Sequence, residues 1–287
     1  KYFKISFLVK YRRVFLLVLV SVFVLQYYRC NNSIRKGDCL AADHEHWVQT
    51  TSGCLRINTY KSDSLSEHPN LVLVIHGDAP FNKPGYQYKM ARIIAEQNKN
   101  TIAVGILRPG YTDSEDHVSD GRKGFTTGDN YTPEVIESIA QAIQFLQNQY
   151  HPAKTILIGH SGGAAITGDL IGVKPTLVNA AVLISCPCNV PKWRKQMGRK
   201  QFYNPGWLSS VSSISPHEVA DKIDPNTRVL ILIGEKDDVT PLELSQEYEK
   251  QLQNLHIPSQ LIQIPNEGHE IFLNDTVFNA IRSVLML

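Results

Sequence analysis

The sequence predicts an α/β fold, in which a mainly parallel sheet is covered by helices on both faces. Continuous apolar runs such as residues 71–75 (LVLVI) recur along the chain, and amphipathic helical stretches lie between most of them. A strand that is apolar at every position is buried on both faces, and alternating strands and helices form parallel sheets. Ligands of such sheets bind at the carboxyl ends of strands, where we expect the functional residues.

In chain order, the predicted strands cover residues 71–75, 101–107, 155–158, 180–184, 228–233 and 260–264. Helices are predicted over residues 90–96 and from Pro133, where a missing N–H is harmless in a first turn, to about Tyr150. Residues 108–130 are rich in Gly, Asp, Ser and Thr, which predicts a long loop. One such domain accounts for residues 54–287, preceded by an extension over residues 30–53.

Composition excludes several classes of protein. The 287 residues carry 29 Lys and Arg against 27 Asp and Glu, a formal net charge of +2. This balance argues against a nucleic-acid-binding protein, because neutralising phosphates requires a basic excess. The mean hydropathy of -0.19 excludes a polytopic membrane protein.

Residues 1–29 are predicted to be a signal peptide or an amino-terminal membrane anchor. Five basic side chains and no acid lie in residues 1–13, and residues 14–25 are apolar apart from Ser21. The apolar run is shorter than the roughly 20 residues that a full span needs, and no small-residue cleavage site follows it. A retained anchor over about residues 14–28, a cleaved signal and a buried helix therefore stay open. The first two predict export to the periplasmic or extracellular face.

The cysteines fit an exported protein without proving export. A disulfide between Cys39 and Cys54 would close a loop and, in the chain-entropy model, stabilise the folded state by about 3 kcal/mol. The sequence does not assign the pairing among all five, which are Cys30, Cys39, Cys54, Cys186 and Cys188.

No metal or cofactor is predicted. The C-P-C pair offers two of the four ligands that a structural zinc ion needs. His44 and His46 could ligate a metal ion, but they are better explained as solvated surface histidines.

The segment Gly159-His160-Ser161-Gly162-Gly163 follows one predicted strand directly and precedes an apolar helical stretch. This is the G-x-S-x-G pattern in the strand–turn–helix context that a nucleophilic serine requires. The turn exposes the Ser161 hydroxyl and leaves the Gly162 N–H at a helix start, where it can donate to an oxyanion.

Two later strand ends supply a candidate carboxylate and a candidate base. Asp237 and Asp238 both follow the 228–233 strand; we favour Asp237 as the partner of a histidine, with Asp238 capping the next helix. His269 follows the last predicted strand. The chain order Ser161, Asp237, His269 is the order that this kind of site uses.

The loop after residues 71–75 reads His76-Gly77-Asp78-Ala79-Pro80 and should supply a second oxyanion donor. We assign that donor to the N–H of Asp78, with Ala79 in reserve. The Asp78 carboxylate would repel an oxyanion, so its side chain is expected to point elsewhere. His76 is interpreted as a structural histidine, because one base suffices.

Together these segments resemble the α/β-hydrolase superfamily over about residues 54–287. The stretches HGDAPFNKPGYQY, RPGYTD, GDNYTPE, GHSGGAA and SCPCNVPKWR resemble a group of bacterial exported α/β-hydrolases and prolyl-oligopeptidase-like serine hydrolases. The resemblance implies an α/β-hydrolase fold and a serine-hydrolase mechanism. It does not supply a substrate.

Residues 186–215 occupy the place where this fold usually inserts a cap. Candidate substrate-binding residues are Trp193, Tyr203 and Trp207 in the cap and Arg108 after the second predicted strand, although Arg108 is better explained by pairing with an acid of the 108–130 loop. The cap also holds five basic residues and no acid. This pattern fits a solvated basic face, or a pocket that attracts an anionic substrate or membrane surface.

The predicted activity is hydrolysis of an ester or amide through an acyl-enzyme. A carboxylesterase acting on a small-molecule ester is the first interpretation, and a serine peptidase acting on a short peptide is the second. An acyltransferase and a non-catalytic binding protein stay open as further alternatives.

Overall fold

A computed structural model describes Cys39, Asp43 and residues 45–79 and 81–286. The predicted signal or anchor over residues 1–29, Cys30 and His44 lie outside the described residues. Within the described part of the chain, no helix is both long enough and apolar enough to cross a membrane.

The described residues form one eight-stranded sheet in the spatial order β1-β2-β4-β3-β5-β6-β7-β8. Its strands are β1 Trp47–Thr50, β2 Gly53–Lys61, β3 Asn70–Ile75, β4 Thr101–Ile106, β5 Lys154–His160, β6 Ala180–Ile184, β7 Arg228–Gly234 and β8 Ser259–Ile264. Every pairing from β4 to β8 is parallel, whereas β2 is antiparallel to both β1 and β4. The mainly parallel sheet predicted from the sequence is confirmed.

The sheet begins earlier in the chain than the sequence predicts. Strand β1 lies in the stretch assigned to an extension, where Val48 pairs with Leu55 of β2 and both side chains are fully buried. A disulfide also joins Cys39 to Cys54. The boundary at residue 54 is therefore wrong. The strand was missed because a four-residue run with two polar positions carries little periodicity.

Helices cover both faces of the sheet. They are α1 Tyr86–Gln97, α2 Pro133–Tyr150, α3 Gly162–Val173, α4 Val190–Lys200, α5 Pro216–Val219, α6 Leu242–Asn254 and α7 Asp275–Leu285. Leu71, Leu73 and Ile75 of β3 pack in one core with α2, α3 and α6. Val72 and Val74 point to the other face and pack in a second core with α1 and α7. This alternation explains why β3 is apolar at every position from Leu71 to Ile75.

The predicted cap is a short insertion between β6 and α5. It starts with a disulfide between Cys186 and Cys188 and continues as α4, whose first turn is capped by the Asn189 side chain accepting from the Lys192 N–H. A 3-10 turn, Pro205–Leu208, follows.

Helix α3 carries a buried acid. Asp169 is fully buried, and among the described residues neither of its carboxylate oxygens has a hydrogen-bond partner. Burial, aided by the negative charge of Glu218, raises the pKa of Asp169 well above its ordinary value. Removing a carboxylate from water disfavours its charged form, so this group is a neutral acid in the folded protein.

Replacing Asp169 with asparagine is expected to stabilise the protein at pH 7. Because the folded state keeps a proton that the unfolded state releases above about pH 4, the free energy of unfolding falls as the pH rises toward the folded pKa. In thermal melts from pH 4 to 8, the melting temperature of the variant should rise relative to that of the wild type as the pH rises. The exposed Asp221→Asn change is the control and should show no such trend; a variant less stable than wild type at pH 7 would contradict the interpretation.

Candidate active site

Ser161 lies on a sharp turn between β5 and α3. Its φ of 53° and ψ of −120° belong to a region that non-glycine residues rarely adopt. The Ser161 N–H donates to the Ile184 carbonyl at 2.8 Å, which fixes the turn against β6. A Cβ on Gly163 would lie 2.4 Å from the Ile75 carbonyl oxygen, so only glycine allows the helix start to approach β3 this closely.

The structure brings the three predicted side chains together. The Ser161 Oγ lies 3.0 Å from the His269 Nε2, and the His269 Nδ1 lies 2.8 Å from an Asp237 carboxylate oxygen. Since β5, β7 and β8 run parallel, the loops that follow them meet at the same edge of the sheet. A hydroxyl, an imidazole and a carboxylate in this series can activate the hydroxyl as a nucleophile.

The loop after β7 holds the Asp237 carboxylate firmly. One oxygen accepts from the N–H groups of Val239 and Thr240 at 2.9 and 2.8 Å, and the other accepts from the Thr240 hydroxyl at 2.7 Å. Burial alone would raise the pKa of Asp237. The His269 partner and the Thr240 hydrogen bonds outweigh burial and hold the pKa below its ordinary value, so the group stays ionised at neutral pH.

Asp238 has a different place from the one predicted. Its side chain is exposed and pairs with Lys200, and helix α6 begins after Pro241 without a side-chain cap. The helix-capping role expected for Asp238 is therefore wrong. Lys200 of α4 holds this residue instead, because its ammonium pairs with the Asp238 carboxylate and also donates to the Asp238 carbonyl.

A chain of hydrogen bonds fixes the backbone of His269. Its carbonyl oxygen accepts from the Ser185 hydroxyl at 2.8 Å and from the His160 Nε2 at 3.2 Å. With its Nε2 donating, His160 accepts at Nδ1 from the Tyr86 hydroxyl at 2.9 Å, and that hydroxyl in turn accepts from the Gly77 N–H. The chain links the loop after β3 to the loop after β8.

The Asp78 carboxylate lies beside the start of α3. A Cβ on Gly162 would lie 2.5 Å from it. The carboxylate does not stand free there, because it pairs with the Arg108 guanidinium at 2.8 Å and accepts from the Gly128 N–H and the Tyr131 hydroxyl at 2.8 and 2.7 Å. These donors neutralise the charge that would otherwise oppose an oxyanion nearby.

Two backbone N–H groups are candidates for an oxyanion hole. The Gly162 N–H is the first of α3 and has no acceptor within its helix. The Asp78 N–H donates to no acceptor among the described residues. Both border Ser161: Gly162 follows it in the chain, and Asp78 lies in the loop after β3.

Arg108 is fully buried, which leaves its side chain unable to contact a substrate. It pairs with Asp78 of the preceding loop and not with an acid of residues 108–130, the pairing that the sequence favours. It does reach that loop through the Asn130 carbonyl at 3.4 Å. A buried guanidinium needs a carboxylate partner, and Asp78 is the acid that the sheet brings beside it.

His76 is a structural histidine. Its Nε2 accepts from the Arg108 N–H at 3.0 Å, which requires the proton on Nδ1, where it donates to the Gly77 carbonyl. Burial lowers the pKa of His76 well below its ordinary value. The ring stays neutral and braces the turn after β3.

The sequence profile of the prolyl oligopeptidase family matches residues 125–285, more than half of the chain, including Ser161, Asp237 and His269. The chain belongs to the prolyl oligopeptidase family. No curated protein matches the sequence.

Solved structures share the fold of this prolyl oligopeptidase family member. Est1E from Butyrivibrio proteoclasticus is 16% identical with a TM-score of 0.60, over 84% of this chain and 96% of that one. An esterase from Exiguobacterium antarcticum is 15% identical with a TM-score of 0.56, over 84% and 99%. A puromycin-hydrolyzing peptidase from Mycobacterium tuberculosis is 16% identical with a TM-score of 0.63, over 84% and 38%. These likenesses show the α/β-hydrolase fold, and with the family they make the chain a serine hydrolase.

The aromatic residues of the cap mostly serve packing in this serine hydrolase. Trp193 is 1% exposed, donates its indole N–H to the Val239 carbonyl at 2.7 Å and packs edge-on against Trp207. It is therefore not accessible to a substrate, contrary to the substrate-binding role predicted for it from the sequence. Tyr203 is 74% exposed and lies just after the end of α4. Trp207 is half-buried, donates to Gln201 and lines a cavity described below.

Three of the five cap cations are committed to the hydrolase's own structure. Lys192 pairs with Glu243 and Glu247 of α6, and Lys200 pairs with Asp238. Arg194 is buried, with its guanidinium donating to backbone carbonyls. The sequence alone could not reveal the acids that pair with Lys192 and Lys200, because these acids lie outside the cap.

One cluster near the site has ligand types for a metal ion. His160, His269 and Glu270 place one potential ligand atom each within 4.8 Å of the others. The ring nitrogens of both histidines are already hydrogen-bonded. Burial and the neighbouring His269 also lower the pKa of His160 to about 3. The cluster fits hydrogen-bonding roles better than coordination.

Sequence reasoning missed the residues that hold the site in place: Thr240, Ser185, Tyr86, His160 and Tyr131. Ser185 directly follows β6 and Thr240 lies in the loop after β7, where a hydroxyl is common for many reasons. Tyr86 and Tyr131 lie in stretches that carry the family resemblance, which was the one available signal.

Proposed function

We propose that this serine hydrolase is a carboxylesterase that cleaves small-molecule esters, with Ser161 as nucleophile, His269 as base and Asp237 as its orienting carboxylate. The observation that carries the proposal is the continuous series of contacts from the Ser161 hydroxyl through the His269 ring to the Asp237 carboxylate, at 3.0 and 2.8 Å. Both distances lie within the range in which a proton can be transferred or a ring oriented.

The proposed mechanism is two-step acyl transfer. The Ser161 Oγ attacks the ester carbonyl carbon while the His269 Nε2 takes the hydroxyl proton, and the N–H groups of Gly162 and Asp78 stabilise the oxyanion. The protonated His269 then donates its proton to the leaving alkoxide as the acyl–oxygen bond breaks. Water, deprotonated by His269, releases the acid and restores Ser161.

Two observations support an ester over a peptide. The esterases named above are matched over nearly their full length, whereas the peptidase is matched over 38% of its chain. Asp78, the acid beside Gly162, is saturated by protein donors and is not free to hold a substrate ammonium. A small ester needs no such anchor.

A serine peptidase that takes a free amino terminus is the second candidate, because of Glu270. This exposed carboxylate lies close to His160 and His269. A carboxylate at the edge of the site could pair with a substrate ammonium. The sequence analysis sought such an acid in the cap, where there is none.

A fluorophosphonate probe followed by two substrate panels tests both candidates. We expect the probe to label Ser161 and the protein to hydrolyse p-nitrophenyl esters in preference to aminoacyl p-nitroanilides. Turnover of the anilides alone, lost in Glu270→Gln and kept in the exposed Glu67→Gln control, would establish the peptidase. Absence of labelling would reject the hydrolase mechanism for Ser161 altogether.

We further propose that the protein works outside the cytoplasm. The disulfides Cys39–Cys54 and Cys186–Cys188 support an oxidising compartment. The basic stretch followed by an apolar run at residues 1–25 supports export.

A further inference from the structure

A cavity of about 610 Å³ lies between α4 and the segment that leads to α5. Its volume falls within the range of small-ligand pockets. Residues from both elements line it, including Val190 and Lys195 of α4 and Ser209 and Val211 of the following segment. The mechanism proposed above assigns no role to this cavity.

The two remaining cap cations both line this cavity. Lys195 and Arg199 are four residues apart, and therefore project from the same face of α4. Both are exposed, and within the described part of the chain neither forms an ion pair. Lys192 and Lys200 do not line the cavity. Arg194 does, but its guanidinium donates to backbone carbonyls, which leaves Lys195 and Arg199 as the cations available to a ligand.

The rest of the lining suits a ligand with an apolar body and an anionic end. Val190, Val211 and Trp207 provide apolar surface, and the Ser210 hydroxyl can donate to an anion. Glu218 is the one acid of the lining. Its charge opposes an anion nearby, which leaves the Lys195 and Arg199 side as the place for the negative group.

The cavity shares a wall with the active site. Ser213 of the lining donates to the Gly128 carbonyl at 2.9 Å and accepts from the Tyr131 N–H at 3.0 Å. Gly128 and Tyr131 hold the Asp78 carboxylate, which lies beside Gly162. One layer of residues therefore connects the cavity to the proposed oxyanion loop.

We propose that this cavity binds the carboxylate-bearing end of an amphipathic anion, and that the enzyme's preferred esters carry such a group. The second half of the proposal rests on the esterase function proposed above, whereas the binding itself does not. Lys195 and Arg199 pair with the carboxylate, while the apolar lining holds the hydrocarbon part.

Binding of octanoate tests the cavity without any turnover. Titration calorimetry on the whole protein should give saturable binding of octanoate and at least tenfold weaker binding of octylammonium, which has the same chain and the opposite charge. The Lys195→Glu/Arg199→Glu variant should bind octanoate at least tenfold more weakly, since it replaces two attractions with two repulsions. The Lys89→Glu/Lys250→Glu control changes the net charge equally on exposed residues of α1 and α6, and should stay within twofold of wild type.

Hydrolysis of paired esters tests the link to catalysis. The KM for 4-nitrophenyl hydrogen glutarate should rise at least tenfold in the cavity variant, while the KM for 4-nitrophenyl butyrate stays within twofold. Equal octanoate binding by the cavity and control variants, or no saturable binding by wild type, would overturn the cavity proposal. Loss of octanoate binding in the cavity variant supports the cavity proposal even if neither ester is hydrolysed. Absence of hydrolysis of both esters by the wild type would count against the esterase function and not against the cavity. Melting temperatures confirm that each variant is folded, and Lys195→Gln/Arg199→Gln replaces the double glutamate where that variant is not.

Discussion

Alanine in place of Ser161 is expected to lower kcat by about 10⁴-fold or more on any ester that the protein hydrolyses. The variant keeps the Cβ and removes only the Oγ that contacts the His269 Nε2. The nucleophile and the acyl-enzyme are lost together, while oxyanion donors and substrate contacts remain. Initial rates under saturating ester, with an active-site titration of the wild type, measure the loss.

The folded state of the Ser161→Ala variant should be unaffected. Alanine and serine tolerate the turn's positive φ of 53° about equally, so the melting temperature should stay within about 2 °C. Ser64→Ala changes an exposed serine far from the site and should leave both rate and labelling unchanged. Retained hydrolysis in Ser161→Ala would remove this residue from the mechanism.

Asparagine in place of Asp237 is expected to lower kcat by about 10⁴-fold. The amide oxygen can still accept from the loop N–H groups, so the amide nitrogen turns toward the His269 Nδ1 and donates to it. That hydrogen bond places the remaining ring proton on Nε2, which can then no longer accept the Ser161 proton. The ester KM should change little, because Asp237 does not reach the substrate.

Asp238→Asn is the matched control for Asp237→Asn. It makes the same chemical change one residue away, on an exposed side chain that pairs with Lys200. We expect activity within twofold of wild type. If Asp238→Asn lost activity and Asp237→Asn kept it, the orienting carboxylate would have been assigned to the wrong neighbour.

The central part of the fold was predictable because its signals are local. Strands β3 and β4 are apolar at nearly every position, and the Ser161 turn is marked by glycines between a strand and a helix. The order of Ser161, Asp237 and His269 after three parallel strands then predicts that they converge. Each inference needs only the residues beside it and the handedness of the connections.

The remaining features depend on contacts between distant segments. Lys192 looks like free surface charge until α6 supplies Glu243 and Glu247. Arg108 looks like a partner for its own loop until the sheet places Asp78 beside it. A sequence states which groups need partners, and the tertiary structure decides which partner each one receives.

The link from Gly77 through Tyr86 and His160 to the His269 carbonyl has a consequence for acid inactivation. Burial lowers the pKa of His160 to about 3, so the ring keeps its neutral tautomer across the range in which most proteins stay folded. Acidification within this range does not protonate His160, so the hydrogen bonds that link the two loops through its ring are kept. A reversible loss of turnover between pH 7 and pH 4 should therefore come from titration of another group. The hydrogen bonds of His160 to the Tyr86 hydroxyl and to the His269 carbonyl should be the same at pH 7 and at pH 4.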